Sequence, residues 1–246
     1  MDIWTLCGEK ITLDKLKKAK GNINDECEFG LTPFLRLCYC SQSNGFNMEI
    51  LKYCCEVMNG DINVKDELEI TPFHYICSNS KFNGFNMEML KYCCEVLKAD
   101  INDKNIYGDT PFHYICYYSN SNGFNMEILK YCCEVLKVDI NDKNIAGSTP
   151  FHYICYYCNI NGFNIKMLKY CCEVMKADIN VMNNIGFTPF QYLCNLDDYK
   201  IMRYLSKNNL VKDETIKKTF LTIHDRLKYF TKITIINLDD IDYVLY

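Results

Sequence analysis

Apolar residues in this chain fall at helical spacings, in short runs separated by polar, turn-forming stretches. From Thr110 the pattern predicts a helix Pro111-Phe112-His113-Tyr114-Ile115-Cys116-Tyr117-Tyr118, with Phe112, Ile115 and Cys116 on one face. Thr110 suits the N-cap, because its hydroxyl can accept an orphan backbone N–H, and Pro111 loses no hydrogen bond at the first helical position. Ser119 to Phe124 reads as turn chemistry. Asn125 can then cap a second helix, Met126 to about Lys137, with Glu127 well placed in its first turn. Ile128, Leu129, Cys132, Cys133 and Leu136 are its inward positions. Asp139 to Ser148 reads as an extended arm and a tight turn.

This unit recurs. Thr-Pro-Phe begins at Thr32, Thr71, Thr110, Thr149 and Thr188, always 39 residues apart, and the window 83–121 matches the window 122–160 at 33 of 39 positions. Such a period marks units that cannot bury their apolar faces alone and stack on one another. The chain therefore reads as one array, not two globules.

The residues Thr110-Pro111-Phe112-His113-Tyr114, then Met126-Glu127-Ile128-Leu129-Lys130-Tyr131, Asp139-Ile140-Asn141 and Gly147, resemble the ankyrin repeat. The likeness runs from about Ile11 to about Asn209. It implies an all-α fold: an ankyrin-repeat solenoid of helix–loop–helix units joined by β-turn or hairpin arms. The unit is longer than the family's, which places about five extra residues in the loop between inner and outer helices. Further departures are Ile-Cys after the His, Cys-Cys in the outer helix, Glu69 at one turn glycine, and Leu35 and Gln191 where the His stands elsewhere. The expected organisation is an N-terminal cap or partial repeat over 1–29, the array over 30–210, and a C-terminal cap or short effector segment over 211–246. Within that last segment Thr215 to Phe230 has a helical pattern and Thr231 to Ile235 alternates like a strand.

Charge narrows the function. Twenty-seven Lys and Arg against 31 Asp and Glu give −4 over 246 residues, which disfavours a basic nucleic-acid-binding face. The N-terminus lacks the apolar core of a signal peptide, and no run approaches the length of a membrane span. A cytoplasmic, reducing location is expected, inside a host cell if the origin is viral or bacterial. Frequent Asn, Lys, Ile and Tyr hint at an AT-rich genome.

The 17 cysteines suggest chemistry at first sight. Adjacent pairs such as Cys54-Cys55 have Cα atoms about 3.8 Å apart, too close for a disulfide. Equivalent cysteines in stacked repeats are roughly 8–10 Å apart, too far for one. They read as small buried apolar side chains. His74-x-x-Cys77, His113-x-x-Cys116 and His152-x-x-Cys155 supply two ligands each, where a structural zinc needs four. In the family this His bonds the loops between repeats, and no metal or cofactor is expected. His224 stands alone, and neither a nucleophile setting nor a phosphate loop is recognisable, so an enzyme is not expected.

What remains is a surface. The resemblance implies a protein partner held on the concave side, by turn tips and the exposed ends of inner helices. By motif position the binding residues are Phe29, Leu31, Leu68, Ile70, Ile106, Tyr107, Asp109, Tyr117, Tyr118, Ile145, Ser148, Tyr156, Tyr157, Ile185 and Phe187. Tyr75, Tyr114, Tyr153 and Tyr192 fall where the family half-buries a side chain. The row Phe46, Phe85, Phe124 and Phe163 is either an apolar ridge or, in the favoured reading, a set of staples folded back on its own helices. The expected function is a monomeric, non-enzymatic interaction scaffold with no membrane span. The alternatives are a host-directed adaptor recruiting machinery through 211–246, and a metal- or redox-responsive array if the thiols prove accessible.

Overall fold

A computed structural model describes residues 2–7, 9–27, 29–80, 83–118, 126–157, 164–193 and 199–211. The patterned segments Thr215 to Phe230 and Thr231 to Ile235 lie outside the described residues. The chain divides into two compact units, Met1–Leu193 and Cys194–Tyr246. The described residues are helical, with no strand among them and only an isolated bridge between Asp2 and Lys20.

The first unit opens with α1 (Ile3–Leu6) and α2 (Leu13–Lys17), capped by the side chains of Asp2 and Thr12. Five short inner helices follow at the repeat interval: α3 (Pro33–Tyr39), α6 (Pro72–Ser78), α8 (Pro111–Tyr117), α10 (Pro150–Tyr156) and α12 (Pro189–Leu193). They pack in chain order, α3 on α6, α6 on α8, α8 on α10 and α10 on α12. The outer helices are α5 (Met48–Lys52), α7 (Met87–Lys91), α9 (Met126–Glu134) and α11 (Ile165–Lys169). One loop that reads as plain turn chemistry, after α3, forms a helical turn instead, α4 (Ser41–Asn44). In the second unit α13 (Tyr199–Lys207) buries Ile201 and Leu205.

Each inner helix starts where the predicted cap stands. The Thr32, Thr71, Thr110, Thr149 and Thr188 hydroxyls accept the backbone N–H three residues on, at 3.1–3.4 Å. Asn47, Asn86 and Asn164 cap α5, α7 and α11 in the same way. The core repeats with them. Phe34, Phe73, Phe112, Phe151 and Phe190 are buried, as are Leu51, Leu90, Leu129 and Leu168 of the outer row. Each such side chain contributes about 1.5–3 kcal/mol by leaving water. Cys38, Cys77, Cys116 and Cys155 on the inner helices and Cys54, Cys93, Cys132 and Cys171 on the outer ones fill the space between them. The second cysteine of each outer pair, such as Cys133, is only half-buried, and so is Leu136.

The outer helices end earlier than their pattern suggests, α9 at Glu134 instead of about Lys137. The carbonyls of Tyr53, Tyr92, Tyr131 and Tyr170 each accept the N–H five residues on, a widened final turn. Asn59, Lys98, Lys137 and Lys176 then take left-handed backbone with φ of 56–61°. The next N–H (Gly60, Ala99, Val138, Ala177) closes on the carbonyl of the buried cysteine six residues back at 2.8–3.1 Å. The chain thus turns out of the helix in a Schellman-like stop made without glycine at its left-handed position.

Candidate interaction surface

The tips are built by one polar residue each. Asp66, Asn105, Asn144 and Asn183 sit at equivalent positions before the turn and are buried. Their side-chain oxygens accept the N–H of the residue four positions on, Ile70, Asp109, Ser148 and Phe187, at 2.9–3.0 Å. Their own N–H groups donate to the carbonyls of those same residues. The turn needs left-handed backbone at its third step, supplied by Gly30, Gly108, Gly147 and Gly186, and Glu69 adopts φ 56° in their place. Adjacent tips are joined by main chain: Ile106 N–H donates to Leu68 O (3.1 Å), Ile145 N–H to Tyr107 O (2.9 Å) and Asn184 N–H to Ala146 O (2.9 Å).

Histidine ties tip to helix. Nδ1 of His74, His113 and His152 accepts the capping threonine's N–H at 3.0–3.2 Å, closing a reciprocal box with the threonine hydroxyl. An accepting Nδ1 leaves the proton on Nε2, which faces carbonyls of the following repeat: Asp103 and Asp109 for His74, Asp142 for His113, Phe187 for His152. Burial pulls His74 and His113 down to about 4 and lowers His152, opposed in part by those carbonyl bonds. The imidazoles are neutral struts between repeats.

Tyrosine carries the network outward. The Tyr75 hydroxyl donates to Asp66 at 2.8 Å, while Asn105 and Asn144 amides reach the Tyr114 and Tyr153 hydroxyls at 3.1 and 3.0 Å. Beyond them the rings meet edge to face. Tyr118, Tyr117, Tyr157, Tyr156 and Tyr192 form a continuous chain with centroid separations of 4.8–5.6 Å, and Tyr117 also packs on Tyr153 at 5.2 Å. Phe187 stacks on Tyr192 at 5.4 Å, which brings a tip residue into the same strip. Tyr39 packs on Tyr75 two repeats earlier.

The residues expected to bind divide by exposure. Phe29, Ile106, Ile145, Tyr156 and Ile185 are exposed, Phe29 and Ile185 by 61% and 73%. Leu31, Leu68, Tyr107, Asp109, Tyr117, Tyr118, Tyr157 and Phe187 are half-buried. Two face inward. Ile70 is buried, with its N–H held by Asp66, and Ser148 is buried, with its hydroxyl accepting from Asn183. The residue before each cap thus turns toward the stack in these two units. Burial also raises the Asp109 carboxyl, and the Asn144 amide donating to it at 2.8 Å partly offsets this.

Two features stand outside the expected site. Val57, Val96, Val135 and Val174 are exposed at the ends of the outer helices, a row whose signal is simply the Val after each Cys-Cys-Glu. Tyr192 is half-buried, as its position implies, and its ring still joins the strip. The Phe ridge does not form where it is described. Phe46 and Phe85 are buried, and Asn44 and Asn83 hold their N–H groups while donating to Leu37 and Ile76 carbonyls. Phe124 and Phe163 lie outside the described residues.

Every described cysteine is a free thiol. Burial pushes the Cys7, Cys55, Cys94 and Cys172 thiols up to about 12 and raises Cys77, Cys93 and Cys116 well above the ordinary range. Among the described residues no three His, Cys, Asp or Glu side chains converge to hold a metal ion. Nor is any described helix long and apolar enough to cross a membrane. No protein-family model matches the chain, and no curated protein matches it significantly in sequence.

Proposed function

We propose that the chain is an ankyrin-repeat solenoid acting as a non-enzymatic protein-interaction module, with a protein partner held across the turn tips and the tyrosine strip. The observation that carries this reading is the row of exposed apolar tips (Ile106, Ile145, Ile185) together with a ring chain from Tyr118 to Tyr192 that the tip residue Phe187 joins. Tyrosine suits such a role, because its ring offers large contact area at low entropic cost and its hydroxyl keeps a polar handle. The buried tip amides and neutral histidines support a preorganised surface, which reduces the ordering cost of binding. The solenoid assignment is supported by the five Thr-capped inner helices and their packing in chain order.

The test compares wild type with a Tyr117→Ser, Tyr118→Ser, Tyr156→Ser, Tyr157→Ser variant in affinity capture from native lysate, with circular dichroism confirming the fold. A partner captured by wild type and lost by the folded variant is the expected result. A partner retained by the variant overturns the assignment of the strip.

A further inference from the structure

The strip has an electrostatic direction. Over 66–78, 105–117, 144–156 and 183–193, the turns and inner helices α6, α8, α10 and α12 contain no lysine or arginine. Acids gather at one end. Glu67 and Glu69 are exposed at the tip before α6, beside Asp66. The nearest cation, Lys65, is drawn to Asp103 at 2.8 Å and lies 3.9 Å from Glu69, so it is shared between two carboxylates and Glu67 has no ion-pair partner among the described residues. At the opposite end Ile145, Tyr156, Tyr157, Ile185, Phe187 and Tyr192 are themselves uncharged and mostly aromatic, and the charge next to them is the exposed cation Lys143 before the Ile145 turn. One repeat before the acidic tip, α3 exposes Arg36 at the position that Tyr75 occupies later, which closes that end to a long basic run.

We propose that this face takes an extended, proline-rich segment carrying one or two basic residues at the end that lies over Glu67 and Glu69. The inference rests on the reading of this face as a protein-binding surface and adds the class of segment and its polarity. Charge complementarity fixes the basic end, since like-charge placement is costly and opposite charge steers association. The periodicity fits the rest. Packed helices are about 8–10 Å apart and a polyproline II turn advances about 9.3 Å, so successive turns of the segment meet Tyr117 and Tyr156, the equivalent residues of two adjacent repeats. Aromatic grooves with hydroxyl rims recognise that conformation, because its backbone carbonyls make no internal hydrogen bonds and its shape is already ordered.

Calorimetry with the full chain and three synthetic peptides of about twelve residues tests this, a length that spans about four repeats at about 3.1 Å per residue. One is proline-rich with two arginines at one end, one has glutamates in place of the arginines, and one keeps the arginines on a Gly/Ser backbone. The first is expected to bind about tenfold tighter than the others and to weaken as salt rises. Glu67→Lys with Glu69→Lys, both exposed, is expected to weaken the arginine peptide about tenfold and to favour the glutamate peptide. Tyr156→Ser weakens both proline peptides. Equal affinity for the proline and Gly/Ser peptides, or indifference to the charge reversal, overturns the proposal. If the proline peptide fails while the tyrosine variant still loses its lysate partner, the segment class falls and the binding surface stands; if both fail, the surface assignment falls as well.

Discussion

Acidification from about pH 7 to pH 4 should unfold this stack through its histidines, and the size of the effect follows from their setting. In the unfolded chain a histidine takes up a proton near pH 6.5, whereas His74 and His113 in the fold do so only at about 4. Burial is the main cause. Asp103 and Asp142 nearby favour the charged form, and Lys65 and Lys104 oppose it. Because the folded state binds its proton later, stability is fully present above pH 6.5 and is lost as pH falls toward 4. Each shift of about 2.5 units is worth about 3 kcal/mol at pH 4, or about 6 kcal/mol for the pair, a large part of the 5–15 kcal/mol typical of a whole domain. His152 moves in the same direction. The comparison is a His74→Gln, His113→Gln, His152→Gln variant, since Gln191 already accepts the Thr188 N–H at 2.8 Å in this role. At neutral pH the variant should be less stable by about 1 kcal/mol per lost inter-repeat bond. Urea titrations at half-unit pH steps should then show wild type losing stability faster between pH 6.5 and 4, with an excess uptake of about two protons or more on unfolding. Equal pH slopes in the two proteins would refute the neutral-strut account.

Three further outcomes are expected. Lys137→Gly or Glu69→Gly relieves left-handed backbone at φ 56° and should stabilise the protein by about 0.5–1 kcal/mol by thermal or urea melting, after glycine's greater unfolded-state entropy is deducted. Thr110→Ala removes a buried cap and its hydroxyl contact with His113, and should cost about 1–2 kcal/mol in the same assay. Thiol labelling of the native protein should modify exposed Cys27 rapidly, while Cys77, Cys93 and Cys116 react only at the rate of unfolding; prompt reaction at those three would show the core to be open.

Local chemistry was the most legible part of this chain. Thr-Pro and Asn-x-x pairs specify caps by hydrogen bonds that span three residues, so a single unit suffices to read them. The fivefold interval then sets the stack, because equivalent apolar faces need equivalent neighbours. The buried Phe46 and Phe85 agree with folding back onto the stack in preference to a ridge. Less legible was the direction of side chains within a five-residue turn. Ile70 and Ser148 share a position with the half-buried Asp109 and Phe187, and the N–H bond to the tip oxygen is the same at all four; only at Ser148 does a further bond, from the Asn183 amide to its hydroxyl, mark the inward side chain, and no spacing reveals it. Helix ends were hidden too. Nothing in Glu-Val-Leu-Lys announces a widened turn followed by a left-handed lysine, since lysine is an ordinary helix former.

On the outer row, the hydroxyls of Tyr92, Tyr131 and Tyr170 donate to Glu56, Glu95 and Glu134 of the preceding unit at 2.6–2.8 Å. Donor and acceptor both come from the Tyr-Cys-Cys-Glu sequence that the first four units share, so each of those units carries the plug and the socket. Any 39-residue segment excised between equivalent points of the middle repeats brings together two surfaces that already fit. Gene slippage could therefore lengthen or shorten this protein in whole units without designing a new interface, changing the reach of its surface while leaving each joint as it was.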